Sequence, residues 1–385
     1  MRSPTTCVLL VCAIAALAGC DQPGLSPSRN RPWGLPLNNP SMVTIDEASH
    51  MRPDDMVLGL VVRGQPRAYP WWIMRNHHVV NDTVPMPEDR NPNAPVDGWT
   101  PYVRMPKRLQ IPGDPYIPLL ITLCEACSGS SAYVPTVDSA PDRPMVFQMC
   151  ERVRKWNGDY AATGVYTICD TRTQSRWHPF SGRAHSGTLK GTQLPRVPVV
   201  IEYWKTWKQM HPDSLVVLAS ERLRHRQHAT LPRGGTMGNR GAHPTFVRHL
   251  ELHPDAEDTR LDRHELVLGV ANKDGAAIAY SLESLTALGG FVERDVDNEP
   301  YLLLHHGAFR SIVYSRRLDD EILSFRVIST NPFRFADASG TEWNEHGEAV
   351  SGPGIGRRLT PALDAYQAEW VEWSQEHPGT TLLND

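Results

Sequence analysis

The segments WKTWKQMHP at residues 204–212 and WVEWSQEHP at residues 370–378 decide the fold, because they are two versions of one pattern. Tryptophan, tryptophan, histidine and proline stand at identical spacing in both. Two blocks upstream also match in the same order: Ser186, Gly187, Gly191 and Leu194 with Ser351, Gly352, Gly356 and Leu359, and VLGLVVRGQPRAY (57–69) with VLGVANKDGAAIAY (267–280). Three matched blocks in one order predict a duplicated module.

The spacing within the repeated segment predicts a short helix that packs on a sheet. Trp204 and Trp207 are three residues apart, which places both rings on one face of a helix. The 33 prolines and 28 glycines of the 385-residue chain favour strands and loops over long helices. We therefore predict an α+β fold with two tandem modules, each mainly an antiparallel sheet with one or two short helices.

The predicted regions differ in composition. They are a signal peptide at 1–19, a lipid anchor and flexible tether at 20–39, a first module at 40–220, an inter-module segment at 221–264 and a second module at 265–385. The inter-module segment is rich in histidine and arginine, but its irregular spacing favours a solvated crossing over metal capture. The net charge of −4 excludes a general attraction to nucleic acid.

The first twenty residues resemble a bacterial lipoprotein signal. Arg2 precedes a short apolar core, and Leu17-Ala18-Gly19-Cys20 matches a lipobox. The apolar run is too short to serve as a transmembrane anchor. The resemblance implies that Cys20 carries acyl chains and holds the protein on the membrane. Asp21 then implies retention at the periplasmic face of the inner membrane, or at the extracytoplasmic face in a source without an outer membrane.

Four of the seven cysteines belong neither to the signal peptide nor to the lipobox, and all four lie in the first module: Cys124, Cys127, Cys150 and Cys169. Three interpretations remain open. Cys124 and Cys127 form a C-x-x-C pair that suits zinc or copper, with His77 and, more weakly, Cys150 and Cys169 as further ligands. Alternatively, the pair is a redox dithiol. Finally, the four cysteines form two structural disulfides, with three possible connectivities.

The second module contains no cysteine. Aligning Tyr133 with Tyr314 places His305 at the position of Cys124 and Ala308 at that of Cys127. A duplicated module that keeps its scaffold but lacks this pair indicates that the pair serves special chemistry in the first copy.

The order of motifs resembles the domain of unknown function 3179 family. It runs VLGL, RAYP, HHVVNDTV, LCEAC and W-x-x-W, and a second round ends in EWNEHGEAVSGPGIGRRL. Members are typically secreted or lipid-anchored, and many have a doubled layout. The resemblance places His77, with Asn81 and Asp82, and the cysteines Cys124 and Cys127 on family positions. Glu125-Ala126 stands where the family often has Pro-Leu.

We expect an extracytoplasmic lipoprotein with a metal-binding or thiol-redox C-x-x-C site, in which Asn81 and Asp82 orient the adjoining turn. The alternative is a non-catalytic binding or scaffold lipoprotein, stapled by two disulfides, that holds a partner in the cleft between the modules. No motif identifies a substrate or a catalytic activity.

Overall fold

The computed structural model describes residues 35–62, 64–85, 116–124, 129–137, 144–150, 167–219, 258–263, 265–272, 275–306, 310–362 and 364–383. The signal peptide, Cys20, most of the tether and most of the inter-module segment lie outside these residues, and the predicted region boundaries stay predictions. Below, residues 35–219 are the first half and residues 258–383 the second half.

The first half consists of short strands and two short helices. The strands are β1 (Leu37–Asn38), β2 (Met42–Thr44), β3 (Met56–Val62), β4 (Gln65–Pro70), β5 (Val79–Pro85), β6 (Tyr116–Cys124), β7 (Gly129–Tyr133), β8 (Phe147–Met149), β9 (Ile168–Asp170), β10 (Arg176–Trp177), β11 (Ala184–Ser186), β12 (Arg196–Val197), β13 (Val200–Tyr203) and β14 (Leu215–Val217). The helices are α1 (Trp71–His77) and α2 (Trp204–Met210).

The second half has a similar content. Its strands are β15 (Leu266–Ala271), β16 (Ala277–Ser281), β17 (Phe291–Val296), β18 (Glu299–His305), β19 (Ser311–Ser315), β20 (Arg317–Leu318), β21 (Glu321–Ile322), β22 (Phe325–Thr330), β23 (Phe333–Asp337), β24 (Glu342–Asn344), β25 (Ala349–Ser351), β26 (Thr360–Pro361), β27 (Ala365–Glu369) and β28 (Thr381–Leu383). The helices are α3 (Leu282–Ala287) and α4 (Trp370–Glu376).

The strands form several mainly antiparallel sheets. In the first half the strand orders are β13-β3-β4-β14-β2, β1-β5-β6-β7-β12 and β11-β10-β9-β8. In the second half they are β27-β15-β16-β28, β17-β18-β19-β26 and β22-β23-β24-β25, with a small β20-β21 ribbon. Antiparallel sheets with one or two short helices per half were predicted, and this is confirmed. The four described helices have only six or seven residues, so the fold is mainly β.

Each half is built around a hairpin flanked in the same way. In the first, β3 pairs with β4 and β13 in antiparallel fashion, while β14 runs parallel to β4. In the second, β15 pairs with β16 and β27 in antiparallel fashion, while β28 runs parallel to β16. The segment between the flanking strands is in each case the helix that carries the tryptophan pair.

Strand β3 is an almost continuous apolar run because both of its faces are buried. Successive side chains of a strand point to opposite faces. Leu58 and Leu60 accordingly belong to the core that includes helix α1, whereas Val57 and Val61 pack with the rings of helix α2.

A tryptophan ring lies directly on a glycine in each hairpin. An added Cβ at Gly59 would overlap the ring of Trp207, and one at Gly269 would overlap the ring of Trp373. The indole Nε1–H of Trp207 donates to the Ser214 hydroxyl at 2.8 Å. That of Trp373 donates to the Thr380 hydroxyl at 3.0 Å. Glycine is therefore required by the close approach of helix and sheet.

The two halves contact each other and together form one compact unit from Pro32 to Asp385. Phe180 of the first half is fully buried in a cluster that includes Tyr366, Trp370 and Trp373 of the second. No helix among the described residues is long and apolar enough to span a bilayer.

We predict that Gly59→Ala lowers the free energy of unfolding by about 1–3 kcal/mol or more, because the added methyl group overpacks a completely buried contact. Urea denaturation of the purified protein measures this change. In a Trp207→Phe background the smaller ring leaves space, so the same substitution should cost less, with a coupling of about 0.5–3 kcal/mol. Equal costs in both backgrounds would show that the ring does not demand the glycine.

Candidate functional site

The C-x-x-C motif lies at the turn of a β-hairpin. Strand β6 ends at Cys124, whose backbone pairs with Gly129 at the start of β7. Cys127 and the other residues of the turn lie outside the described residues, as does the side chain of Cys124. The strand pairing thus places Cys124 at the end of the β6–β7 hairpin. Cys127 belongs to the four-residue segment that joins the two strands.

Two neighbouring histidines precede strand β5, beside this hairpin. The Nδ1 of His77 is 2.9 Å from the carbonyl oxygen of Leu35, near the start of the described chain. The Nδ1 of His78 is 3.0 Å from the carbonyl oxygen of Leu123, the residue before Cys124. A carbonyl oxygen only accepts, so Nδ1 carries the proton and Nε2 the lone pair in both rings. Burial lowers the pKa of His77, which keeps the ring neutral.

His77 was named as a candidate ligand from the sequence, and its neighbour His78 was not. The structure shows that His78 is buried in a left-handed conformation at the end of helix α1. Its ring contacts the strand that leads to Cys124. The left-handed turn was not evident from the sequence, since only a small fraction of residues other than glycine adopt it.

Cys150 and Cys169 form a disulfide, with their Cα atoms 5.2 Å apart. The bond joins the two strands at the end of the β8–β9 pair from which residues 151–166 connect them, and Cys169 itself pairs with Gln148. Residues 151–166, between these cysteines, lie outside the described residues. Sulfur atoms in a disulfide are not thiolates. In this form Cys150 and Cys169 therefore do not act as ligands, and their disulfide role is the one that the structure shows.

Asn81 and Asp82 do not orient a turn, contrary to the prediction, because both lie within strand β5 and are buried. Asp82 accepts from Arg67 at 2.6 Å and from the hydroxyl of Tyr69 at 2.5 Å. Burial, with the charge of Asp82, raises the pKa of Tyr69 well above its usual value. Asn81 bonds both backbone groups of Phe147 at 2.8 Å. These residues hold sheets together.

The corresponding hairpin of the second half has a different register from the predicted alignment. Tyr133 pairs with Leu120 and Tyr314 with Leu302. Counting outward from these pairs places Cys124 opposite Gly129, and His306 opposite Arg310. His306, and not His305, therefore occupies the position of Cys124. The sequence alignment was wrong by one residue because the second turn is one residue shorter.

The cleft between the halves is small. Its volume is roughly 60 Å³, and its polar lining includes Arg196, Ser311, Tyr366 and Gln367. The guanidinium of Arg196 stacks 4.7 Å from the Tyr366 ring centroid. Drug-sized ligands usually need about 300 Å³ or more, whereas this space suits a few water molecules.

A buried histidine lies behind the C-x-x-C hairpin. His178 is 2% exposed, and its Nδ1 accepts the backbone N–H of Ser181 at 3.0 Å. Nε2 therefore carries the proton and has no partner among the described residues. Burial holds the pKa of His178 well below its usual range. His178 was not identified as functional from the sequence, and Asn344 follows Trp343 in the second half as His178 follows Trp177.

We predict that stability falls as the pH is lowered from about 6.5 to 4. Burial lowers the pKa of His211 and of His377 to about 4, against an ordinary value near 6.5. Between these values the unfolded chain binds protons that the folded chain does not, so acid favours unfolding. His211→Gln with His377→Gln should flatten the slope of unfolding free energy against pH, measured by urea denaturation. An unchanged slope would contradict this assignment.

A family model described as "Protein of unknown function (DUF3179)" matches residues 34–88 and 117–380. Comparisons with curated proteins and with solved structures found no significant match. The family match covers most of the chain, including the C-x-x-C hairpin, the disulfide and both tryptophan segments. The protein belongs to the DUF3179 family.

Proposed function

We propose that the protein is a membrane-anchored extracytoplasmic lipoprotein whose Cys124 and Cys127 form a metal-binding or thiol-redox site. One observation carries this proposal. The disulfide between Cys150 and Cys169 pairs two of the four cysteines of the first half. Cys124 and Cys127 are therefore left as a separate pair, at one hairpin end.

The chemistry of a C-x-x-C turn suits one soft cation. Two thiolates separated by two residues can bind the same tetrahedral ion, and sulfur ligands favour zinc or cuprous copper. His77 and His78 supply imidazoles in the tautomer with the lone pair on Nε2. Each donates its Nδ1–H to a backbone carbonyl. A ring N–H that donates to a backbone carbonyl while the other nitrogen is free to bind is typical of histidines that bind metals.

The same pair can act as a dithiol. Thiolate is the form that attacks a disulfide, so any nearby positive charge that lowers the pKa of a thiol increases its reactivity. A redox site then alternates between the dithiol and a Cys124–Cys127 disulfide, whereas a metal site holds both sulfurs as thiolates. The two forms are chemically distinct and can be separated by their thiol content.

We also propose that the halves are tandem copies of one module. The matched sequence blocks are supported by the same flanking order around the central hairpins. The tryptophan–glycine contact and the hydroxyl partner of the indole also occur in both halves. The alternative function, a scaffold lipoprotein with two structural disulfides, requires a permanent Cys124–Cys127 bond in addition to the Cys150–Cys169 bond.

For the metal-bound form, we predict two alkylatable thiols and one disulfide in the mature chain secreted into an oxidising compartment. The denatured protein is weighed with and without alkylation, and bound metal is measured before denaturation. Cys124→Ser should abolish metal binding by the C-x-x-C pair and so lower the metal content by one ion per chain. Two stable disulfides with no metal, even after mild reduction and the addition of zinc or copper, would support the scaffold alternative instead.

The matched control for this experiment is Cys150→Ser with Cys169→Ser. It removes the structural disulfide and should lower the free energy of unfolding by about 2–4 kcal/mol. Metal content should be unchanged, since these sulfurs are not ligands. If metal is lost in this control but kept in Cys124→Ser, then Cys150 and Cys169 hold the metal and the proposed assignment is wrong.

We predict that the protein partitions with membranes through acyl chains on Cys20. Several acyl chains bind a bilayer far more firmly than one. Cys20→Ser should release the mature protein, or its uncleaved precursor should accumulate. Membrane fractionation and mass measurement of the N-terminal peptide test this. An unmodified Cys20 in the membrane-bound protein would rule out the lipoprotein assignment.

A further inference from the structure

A second group of possible metal ligands lies where the two halves meet, away from the cysteines. Glu202 belongs to strand β13 of the first half, whereas Glu345 and His346 follow strand β24 of the second. One carboxylate oxygen from each glutamate and one ring nitrogen of His346 lie within 4.8 Å of one another. Glu202 is only 1% exposed. A buried carboxylate of this kind requires a positive partner.

A guanidinium marks the cation position between the two glutamates. Nη2 of Arg310 is 2.9 Å from an Oε of Glu202 and 2.5 Å from an Oε of Glu345. A single nitrogen thus bridges carboxylates that belong to different halves of the chain. The second oxygen of Glu202 accepts the backbone N–H of Tyr203 at 2.7 Å, which orients the carboxylate.

Two imidazoles lie next to this position, and their Nε2 atoms make no good hydrogen bond to the described residues. Nε2 of His346 is 3.5 Å from Glu345, too far for a good hydrogen bond. Nε2 of His306 is buried and has no hydrogen-bond partner among the described residues. The His306 ring lies against Phe333, with centroids 4.1 Å apart, and interacts electrostatically with Glu345 and His346.

We propose that Glu202, Glu345, His346 and His306 bind one divalent transition-metal ion of the zinc type, and that Arg310 takes the cation position in the metal-free protein. Imidazole with carboxylate is a ligand set that zinc accepts in tetrahedral sites. The ion would neutralise both glutamates and give His306 the partner that it lacks. This inference does not depend on the cysteine site.

Glu202, Glu345 and His346 need only small side-chain movements to bind zinc together. Bonds of about 2.0–2.2 Å to tetrahedral zinc place ligand atoms roughly 3.3–3.6 Å apart. Ligand atoms within 4.8 Å of one another must therefore approach by about 1 Å. Arg310 must leave, so removing its charge should strengthen metal binding.

The position of His306 gives this site a counterpart in the first half. His306 has the register position that Cys124 occupies in the β6–β7 hairpin. His346 stands three residues after Trp343, as Phe180 stands three residues after Trp177. Phe180 lies against Gly129 at the end of the cysteine hairpin. The ends of both hairpins therefore carry side chains of the kind that bind transition metals.

The test is a zinc titration, by calorimetry, of the mature chain carrying Cys124→Ser and Cys127→Ser, so that thiolates do not contribute. We expect one zinc ion per chain. His346→Ala, Glu345→Gln and Glu202→Gln should each weaken binding at least about tenfold, and Arg310→Met should strengthen it. Glu321→Gln, at an exposed carboxylate outside the group, is the matched control and should have no effect.

Cobalt replaces zinc as a spectroscopic probe, and its visible absorption should be present in the control and lost in His346→Ala. Should Glu202→Gln fail to fold, as judged by circular dichroism, the two variants of the second half carry the test. Zinc binding that is equal in all folded variants would place the ion outside this group and overturn the proposal. So would the absence of binding in both the parent chain and Arg310→Met.

Discussion

The contact of a tryptophan ring with a strand glycine is the constraint on which the rest of the structure depends. The ring of Trp207 covers Gly59, and the ring of Trp373 covers Gly269. Each ring is fully buried, and its indole N–H bonds a hydroxyl a few residues beyond the helix. The contact therefore sets both the distance of the helix from the hairpin and the path of the chain after it. The strands on either side of the helix then pair with the hairpin.

The hairpins anchored in this way also place the groups at which the halves meet. Strand β13 leads into helix α2 and presents Glu202 to Arg310 of the second half. Phe180 of the first half likewise enters the cluster around Trp370 and Trp373. Glu376, at the end of helix α4, lies 3.5 Å from Arg183. Each tryptophan helix thus stabilises its own half and positions charged groups against the other.

Much of the architecture followed from the sequence, because periodicity and turn residues report local structure. The short helix predicted from the spacing of Trp204 and Trp207 is found as α2, with both rings buried on one face. The partners of Cys150 and Cys169 did not follow, since three pairings of four cysteines are equally compatible with the sequence. Which cysteines are bonded depends on the pairing of strands β8 and β9, which brings Cys150 and Cys169 together and is not encoded locally.

The errors at the candidate sites also have physical causes. His305 was aligned with Cys124 because aligning Tyr133 with Tyr314 does not reveal that the turn of the second hairpin is one residue shorter. The strand register places His306 at that position. Asn81 and Asp82 were predicted to orient a turn, but both are buried within strand β5. There Asp82 accepts from Arg67, and Asn81 donates to Phe147. Glu202 and Arg310 are 108 positions apart in sequence, and no charge pattern connects them.

The central claim is that Cys124 and Cys127 form a pair separate from the structural disulfide. The most direct test is peptide mapping of the secreted mature chain under non-reducing conditions, after alkylation of free thiols. The account predicts a peptide that links Cys150 only to Cys169, with Cys124 and Cys127 either alkylated or linked only to each other. A peptide linking Cys124 or Cys127 to Cys150 or Cys169 would contradict it.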